Sequence, residues 1–368
     1  MKIPFICLVA ISLLIFSCTS ESNEKIDTIT FKERSLPIKG VLFPKKKPAY
    51  NYSWSRFSGD STITLEYVFG NKIYKSFELS GANDKEFNLP SNLLSGCYSF
   101  FTIKNEIYLY SLPGALFKLV NDSFALQLNL TENKELFAHK LELDLNSDFG
   151  NYVQVYNDST VILPVTGKNR TGRDKFPLVA FLNIRTGKIK VIDYLSPDDY
   201  LDHHYFLNNM ISYLLRDHKL LINRHYDPEV EVFDLKTKKV VAKLNLRNKF
   251  QEDAIQKIYT SDYEAKSRYI IEAAHYGTLI YNPVKKHYYR LFYHALPEKN
   301  ESGDFTILAD KRSSITVYDQ KFKYLGTYLL PKRIQAVIGI SPTPEGFIIN
   351  SSIKKTKSGL VLTEVTYK

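Results

Sequence analysis

Val230-Glu231-Val232-Phe233-Asp234-Leu235 runs into Lys236-Thr237-Lys238-Lys239 and out again as Val240-Val241-Ala242. An alternating apolar stretch, a polar turn and a second apolar stretch predict two antiparallel strands. The unit recurs. Leu65 to Phe69 turns at Gly70-Asn71-Lys72 into Ile73 to Phe77, and Leu116 to Val120 turns at Asn121-Asp122-Ser123 into Phe124 to Leu126. Val179 to Ile184 turns at Arg185-Thr186-Gly187-Lys188 into Ile189 to Ile192. Thr278 to Tyr281 turns at Asn282 to Lys286 into His287 to Leu291, and Ile315 to Tyr318 turns at Asp319 to Phe322 into Lys323 to Gly326. These six copies lie about 40 to 65 residues apart.

A second hairpin often precedes the unit, entered through polar turns such as Lys104-Asn105-Glu106, Asn157-Asp158-Ser159 and Arg216-Asp217-His218-Lys219. Two hairpins make four strands per repeat. Four-stranded repeats of this period predict an all-β, six-bladed β-propeller of four-stranded blades. Radial packing buries the faces of such blades and leaves only short edges. The C-terminal pair Gly346–Asn350 and Gly359–Tyr367 is too little chain for its own blade. Ile26 to Lys32 is therefore expected to pair with it and close the ring. Two stretches break the strand pattern and are expected as short helical insertions. One is Ser196 to Leu215, where Pro197-Asp198-Asp199 resembles a helix start; the other is Gln251 to Ala274.

Of 368 residues, 44% are hydrophobic and 24% charged, so a large core is available. The 26 Tyr and 23 Phe against 2 Met and 1 Trp favour strands. The excess of 49 Lys and Arg over 39 Asp and Glu is spread over the expected turns. Solvated loop tips account for it, and nucleic acid is not an expected partner.

The N-terminus carries an address. Lys2 precedes the apolar run Ile3 to Phe16, small Ser17 and Cys18 follow, and Thr19 to Glu24 is polar. This is the pattern of an export signal, too short to span a bilayer comfortably. Ile15-Phe16-Ser17-Cys18 resembles the lipobox of bacterial lipoproteins. That resemblance implies cleavage before Cys18 and acylation of its thiol, hence a membrane anchor. The expected division is residues 1–17 as signal, 18–27 as lipidated tether and 28–368 as one propeller domain. No Gly/Ser or Pro linker divides that body. Cys97 is then the lone cysteine of the body that carries no lipid, expected as a buried, inert thiol.

No motif identifies a reaction. Gly167-Lys168-Asn169-Arg170-Thr171-Gly172-Arg173-Asp174 fails as a phosphate loop, because Arg-Asp stands where Lys-Ser/Thr is required. Asp198, Asp199, Asp202, His203 and His204 read as a solvated helix start rather than a metal site, which needs three or four well-placed ligands. His225 and Asp227 read as part of a turn before a strand. Tyr276, Tyr281, Tyr288, Tyr289, Phe292 and Tyr293 could line a sugar-binding face but are expected in the core. No Gly-x-Ser-x-Gly elbow occurs. Cys18 is thus the one assigned site residue; no catalytic residue, metal site or cofactor is assigned, and the ligand-binding residues are unknown.

Cys18 with its signal, the six copies, and the segments Tyr281 to Arg290, Val317-Tyr318-Asp319 and Ser341 to Phe347 resemble Bacteroidetes-type lipoproteins with a TolB-like six-bladed propeller. The resemblance implies fold and address and carries over no functional residue. The expected role is a non-catalytic binding or scaffold module in the cell envelope. The expected place is the outer membrane, on its periplasmic or surface-exposed side. The expected partners are the membrane, through the lipid, and an envelope protein or glycan. The alternative is a propeller hydrolase or lyase acting on polysaccharide.

Overall fold

The computed structural model describes residues 29–37, 53–58, 62–69, 72–76, 85–88, 98–104, 106–111, 114–121, 123–143, 153–167, 178–192, 194, 211–251, 263–307, 310–331, 334, 337–356 and 359–367. β1 (Ile29–Pro37) opens them. β2 (Ser53–Ser58), β3 (Thr62–Phe69), β4 (Lys72–Ser76) and β5 (Lys85–Asn88) follow as an antiparallel run. β6 (Tyr98–Ile103), β7 (Glu106–Ser111), β8 (Ala115–Val120) and β9 (Ser123–Asn129) make the next. A parallel bridge, Asn88 to Ser123, joins the two runs into one eight-stranded sheet. After α1 (Lys134–Ala138) comes a five-stranded sheet of β10 (Leu141–Leu143), β11 (Gln154–Asn157), β12 (Thr160–Gly167), β13 (Val179–Asn183) and β14 (Ile189–Val191).

The next four-stranded sheet is β15 (Ile211–Arg216), β16 (Lys219–Arg224), β17 (Glu229–Asp234) and β18 (Lys239–Asn245). α2 (Tyr263–Glu272) then leads to β19 (His275–Asn282), β20 (His287–Tyr293), β21 (Ser313–Tyr318) and β22 (Tyr324–Leu329). The last sheet has the order β1, β25 (Gly359–Tyr367), β24 (Gly346–Thr356), β23 (Val337–Thr343). The N-terminal strand thus pairs with the C-terminal one, from Ile29 opposite Tyr367 to Pro37 opposite Gly359. The protein is all-β, and its unit is the four-stranded antiparallel meander. First strands of neighbouring units touch: β6 with β11, β11 with β15, β15 with β19, β19 with β23, and β23 with β2.

Burial grades across each unit. β16 and β21 are almost wholly buried, whereas β9 and β18 lie mostly in solvent. A middle strand packed by neighbours on both faces needs apolar residues on both, hence Leu220-Leu221-Ile222. An outer strand carries lysines, as Lys239 and Lys243 do on β18.

The recurring turn has one chemistry. Asn183, Asp234 and Asn282 each end a strand and accept, through the side-chain oxygen, the backbone N–H groups two and three residues on. The chain then needs a left-handed residue four positions after each: Gly187, Lys238 and Lys286, at φ 72°, 56° and 57°. The side-chain acceptor stabilises a turn that a lysine in this conformation, as at 238 and 286, would otherwise disfavour.

Polar side chains bridge successive sheets. Ser99 Oγ accepts from the Val153 N–H at 3.1 Å, and Gln127 donates to the Ile184 carbonyl at 2.9 Å. Gln154 donates to the Tyr213 carbonyl and accepts from the Leu215 N–H. Asn223 donates to the Gly277 carbonyl, and Asn282 to those of Thr343 and Gly346.

Three expectations need correction. The copies at Thr278 and Ile315 belong to a single sheet, so a copy is not always a unit. The Leu65 copy forms the middle pair of its run rather than the outer one. Ile211 to Leu215, expected within a helix, are the strand β15, whose Ile211, Ser212 and Tyr213 are buried against neighbouring sheets; tertiary packing overrides local helical spacing there. The expected insertion at 251–274 does hold a helix, α2.

Candidate functional site

The interior holds charged groups, and their contacts bind structure. Arg290, fully buried, donates to Asn223 Oδ1 at 2.8 Å and to the carbonyls of Pro228, Leu246, Arg224 and Asp227 at 2.6–3.3 Å. Its guanidinium lies 3.6 Å from the Tyr276 ring centroid. Burial pulls its pKa down to about 10, against the favourable field of Tyr276, Tyr318 and Asp227. Lys311 Nζ donates to the carbonyls of Ile270, Ile271 and Ala273, capping the end of α2. Arg224 bonds Glu231 at 2.8 Å, and Tyr194 donates to the same carboxylate. Burial raises the Glu231 pKa, but Arg224, Tyr194 and Lys243 together hold it below the usual range.

The residues singled out in sequence fall as follows. His225 is buried, with Nε2 3.4 Å from Ser212 Oγ, and Ser212 accepts a bond from Asn223. Asp227 accepts the Glu229 N–H at 2.8 Å, so this stretch is the β16–β17 turn. Tyr276, Tyr288, Tyr289, Phe292 and Tyr293 are core residues, with Tyr281 half-buried beside Tyr288. Cys18, Cys97, Asp198 to His204 and the loop from Lys168 to Asp174 lie outside the described residues. Among the described residues no group of three or more His, Cys, Asp or Glu could hold a metal ion. Among them too, no helix is long and apolar enough to cross a membrane.

The side chains arranged for contact with something else lie on the five-stranded sheet. A cleft of about 390 Å³ opens over β11 to β14 and is closed on one side by Leu235 of the next sheet. Its floor is aromatic. The Tyr156 and Phe181 rings lie 4.9 Å apart, tilted by 53°, and His218 Nδ1 meets Tyr156 Oη at 3.1 Å. Its rim is polar, with Asn157 and Thr160 at one turn, Asn183 and Thr186 at the next, and exposed Lys188 and Lys190 on β14 and its approach. Lys190 stands directly opposite Phe181 in the strand register. Neighbouring carboxylates have their own cations: Asp158 pairs with Lys104 at 2.6 Å and Asp217 with Arg216 at 3.2 Å. The cleft therefore keeps a positive edge. A second groove shares Lys188 and runs along α1 and its approach, past Asn129 and Asn133.

Residues 68–327 match the family described as "Domain of unknown function (DUF4221)". The chain belongs to the DUF4221 family. A crystal structure of a DUF4221 member from Bacteroides vulgatus ATCC 8482 is similar over 94% of this chain and 99% of that one, at 15% identity and a TM-score of 0.68. A protein described as exported, from Bacteroides fragilis NCTC 9343, is similar over 94% and 98%, at 12% identity and a TM-score of 0.50. At these identities the likeness concerns the fold alone. No curated protein matches the sequence.

The cleft is assembled from residues far apart in sequence. Phe181, Asn183, Lys188 and Lys190 are strand and turn residues of one hairpin that the sequence shows. What sequence does not give is Tyr156 arriving from β11 beside Phe181, and Leu235 from the following sheet.

Proposed function

We propose that this DUF4221 chain is a membrane-anchored, non-catalytic binding module of the cell envelope. In this reading Cys18 carries the lipid, residues 18–27 are the tether, and residues 28–368 form one closed, six-bladed ring. The support for the ring is the succession of strand contacts from β6 to β2 and the pairing of β1 with β25. The observation that carries the binding role is the cleft over β11 to β14. Its aromatic floor and donor-bearing rim suit recognition, and two sheets with bridging side chains hold it in shape. The buried Arg290, Lys311 and Glu231 serve the scaffold and are committed to it.

The test is capture from the native envelope. Acylated protein would be cross-linked in place, extracted in mild detergent and compared with a Cys18→Ala form. A stoichiometric envelope partner, protein or glycan, lost or strongly depleted in the unanchored form, is the expected result. Equal membrane association of the Cys18→Ala form would refute the anchor. A bait that captures nothing above control in either form would refute the binding module.

A further inference from the structure

Resting on that reading, we infer that the cleft over β11 to β14 is a site for an acidic saccharide, one bearing uronic-acid carboxylates. The argument is an inventory of donors and acceptors. Asn157 Oδ1 is taken up by the N–H and hydroxyl of Ser159. Asn183 Oδ1 is taken up by the N–H groups of Arg185 and Thr186, and Thr186 Oγ1 by that of Lys188. The turns consume acceptors. What the turns leave over on these lining residues are donors: the two amide NH₂ groups, the Thr186 hydroxyl proton and the ammonium groups of Lys188 and Lys190. None of the described residues lining the cleft is a carboxylate. A donor-rich, positive rim selects a ligand rich in acceptors and negative in charge.

The floor narrows the class further. Tyr156 and Phe181 are half-buried, their rings in contact, and both line the cleft. The C–H face of a pyranose can pack on such rings while its carboxylate reaches an ammonium. Lys190, opposite Phe181, places charge and ring side by side at that spacing. The volume of about 390 Å³ suits one or two sugar rings rather than a folded partner.

The test is calorimetric titration of the full chain with a galacturonic-acid trisaccharide and, in parallel, a neutral galactose trisaccharide. The expected result is saturable binding of the acidic sugar at least tenfold tighter than the neutral one, weakening as salt is added. Lys188→Ala/Lys190→Ala should lose at least tenfold in affinity while melting like the parent, since both side chains are exposed. Equal binding of the two sugars, absence of binding, or a folded double variant that binds unchanged would each overturn the assignment. If that variant fails to fold, the acidic-over-neutral ratio and its salt dependence in the parent still decide. A chain that captures an envelope partner yet shows no acidic preference keeps the binding-module reading and loses this one.

Discussion

Replacing Arg290 with Met removes one side chain from the boundary between the sheets β15–β18 and β19–β22. Arg290 is 0% exposed and donates to five acceptors, four of them backbone carbonyls of the facing sheet and its loops. The Pro228 and Arg224 carbonyls keep a second donor, the N–H groups of Leu246 and Asp227, so the loss falls on Asn223 Oδ1 and the Leu246 and Asp227 carbonyls, at about 1 kcal/mol each. The ring contact with Tyr276 adds about 1–2 kcal/mol in a desolvated setting. Against this loss of about 4–5 kcal/mol stands relief from burying a charge. A pKa lowered from 12.5 to about 10 corresponds to about 3 kcal/mol of that penalty. The balance is a destabilisation of about 1–2 kcal/mol. Urea unfolding followed by circular dichroism measures it. Arg290→Lys keeps the charge but loses the planar fork, and should recover less than half of the loss. Unchanged or raised stability of Arg290→Met would refute the view that this guanidinium holds the two sheets together.

Asn282→Ala should cost about 2–4 kcal/mol, because it frees buried carbonyls of Thr343 and Gly346 as well as its own turn. Asp319→Ala, which loses only turn bonds to Lys321 and Lys323, should cost about 1 kcal/mol; equal losses in chemical denaturation would contradict the bridging role. Burial, with Arg312 and Lys311 nearby, lowers the His294 pKa from 6.5 to about 4, so His294 folds neutral. Its stabilising contribution is complete above pH 6.5 and is lost as pH falls toward 4, so His294→Gln should flatten acid unfolding across that window. Buried His275 acts in the same direction and should preserve part of the slope. Deleting residues 360–368 removes the strand between β1 and β24 and should abolish the folded state in one cooperative step; two separate melting transitions in that form would argue against a closed ring.

The strands were legible because their chemistry is local. Val230 to Asp234 and Ile315 to Tyr318 are apolar runs, and Asn183, Asp234, Asn282 and Asp319 close the turns within their own hairpins. The pairing of β1 with β25 was also legible, since Gly346 to Tyr367 lacked partners. Assigning copies to sheets was not. Thr278 to Leu291 and Ile315 to Gly326 look alike in sequence, and only the pairing of β20 with β21 puts them in one sheet. The helical expectation failed at Ile211 to Leu215 for a related reason: burial between sheets makes that stretch the strand β15. The buried charges were silent too. Arg290 and Lys311 look like ordinary surface cations until five acceptors and the end of α2 are brought to them. Sequence proximity could not assemble the cleft either, because Tyr156, Phe181 and Leu235 meet only across β11, β13 and the next sheet.

The central claim is that this chain binds its ligand and leaves it chemically unchanged. The direct measurement is to incubate the full chain with a large excess of the galacturonic-acid trisaccharide and to follow bound ligand and saccharide mass together. The account predicts one trisaccharide held per chain and every recovered molecule at its starting mass. Shortened or unsaturated sugars accumulating beyond one per chain would contradict it and make the protein a polysaccharide-degrading enzyme.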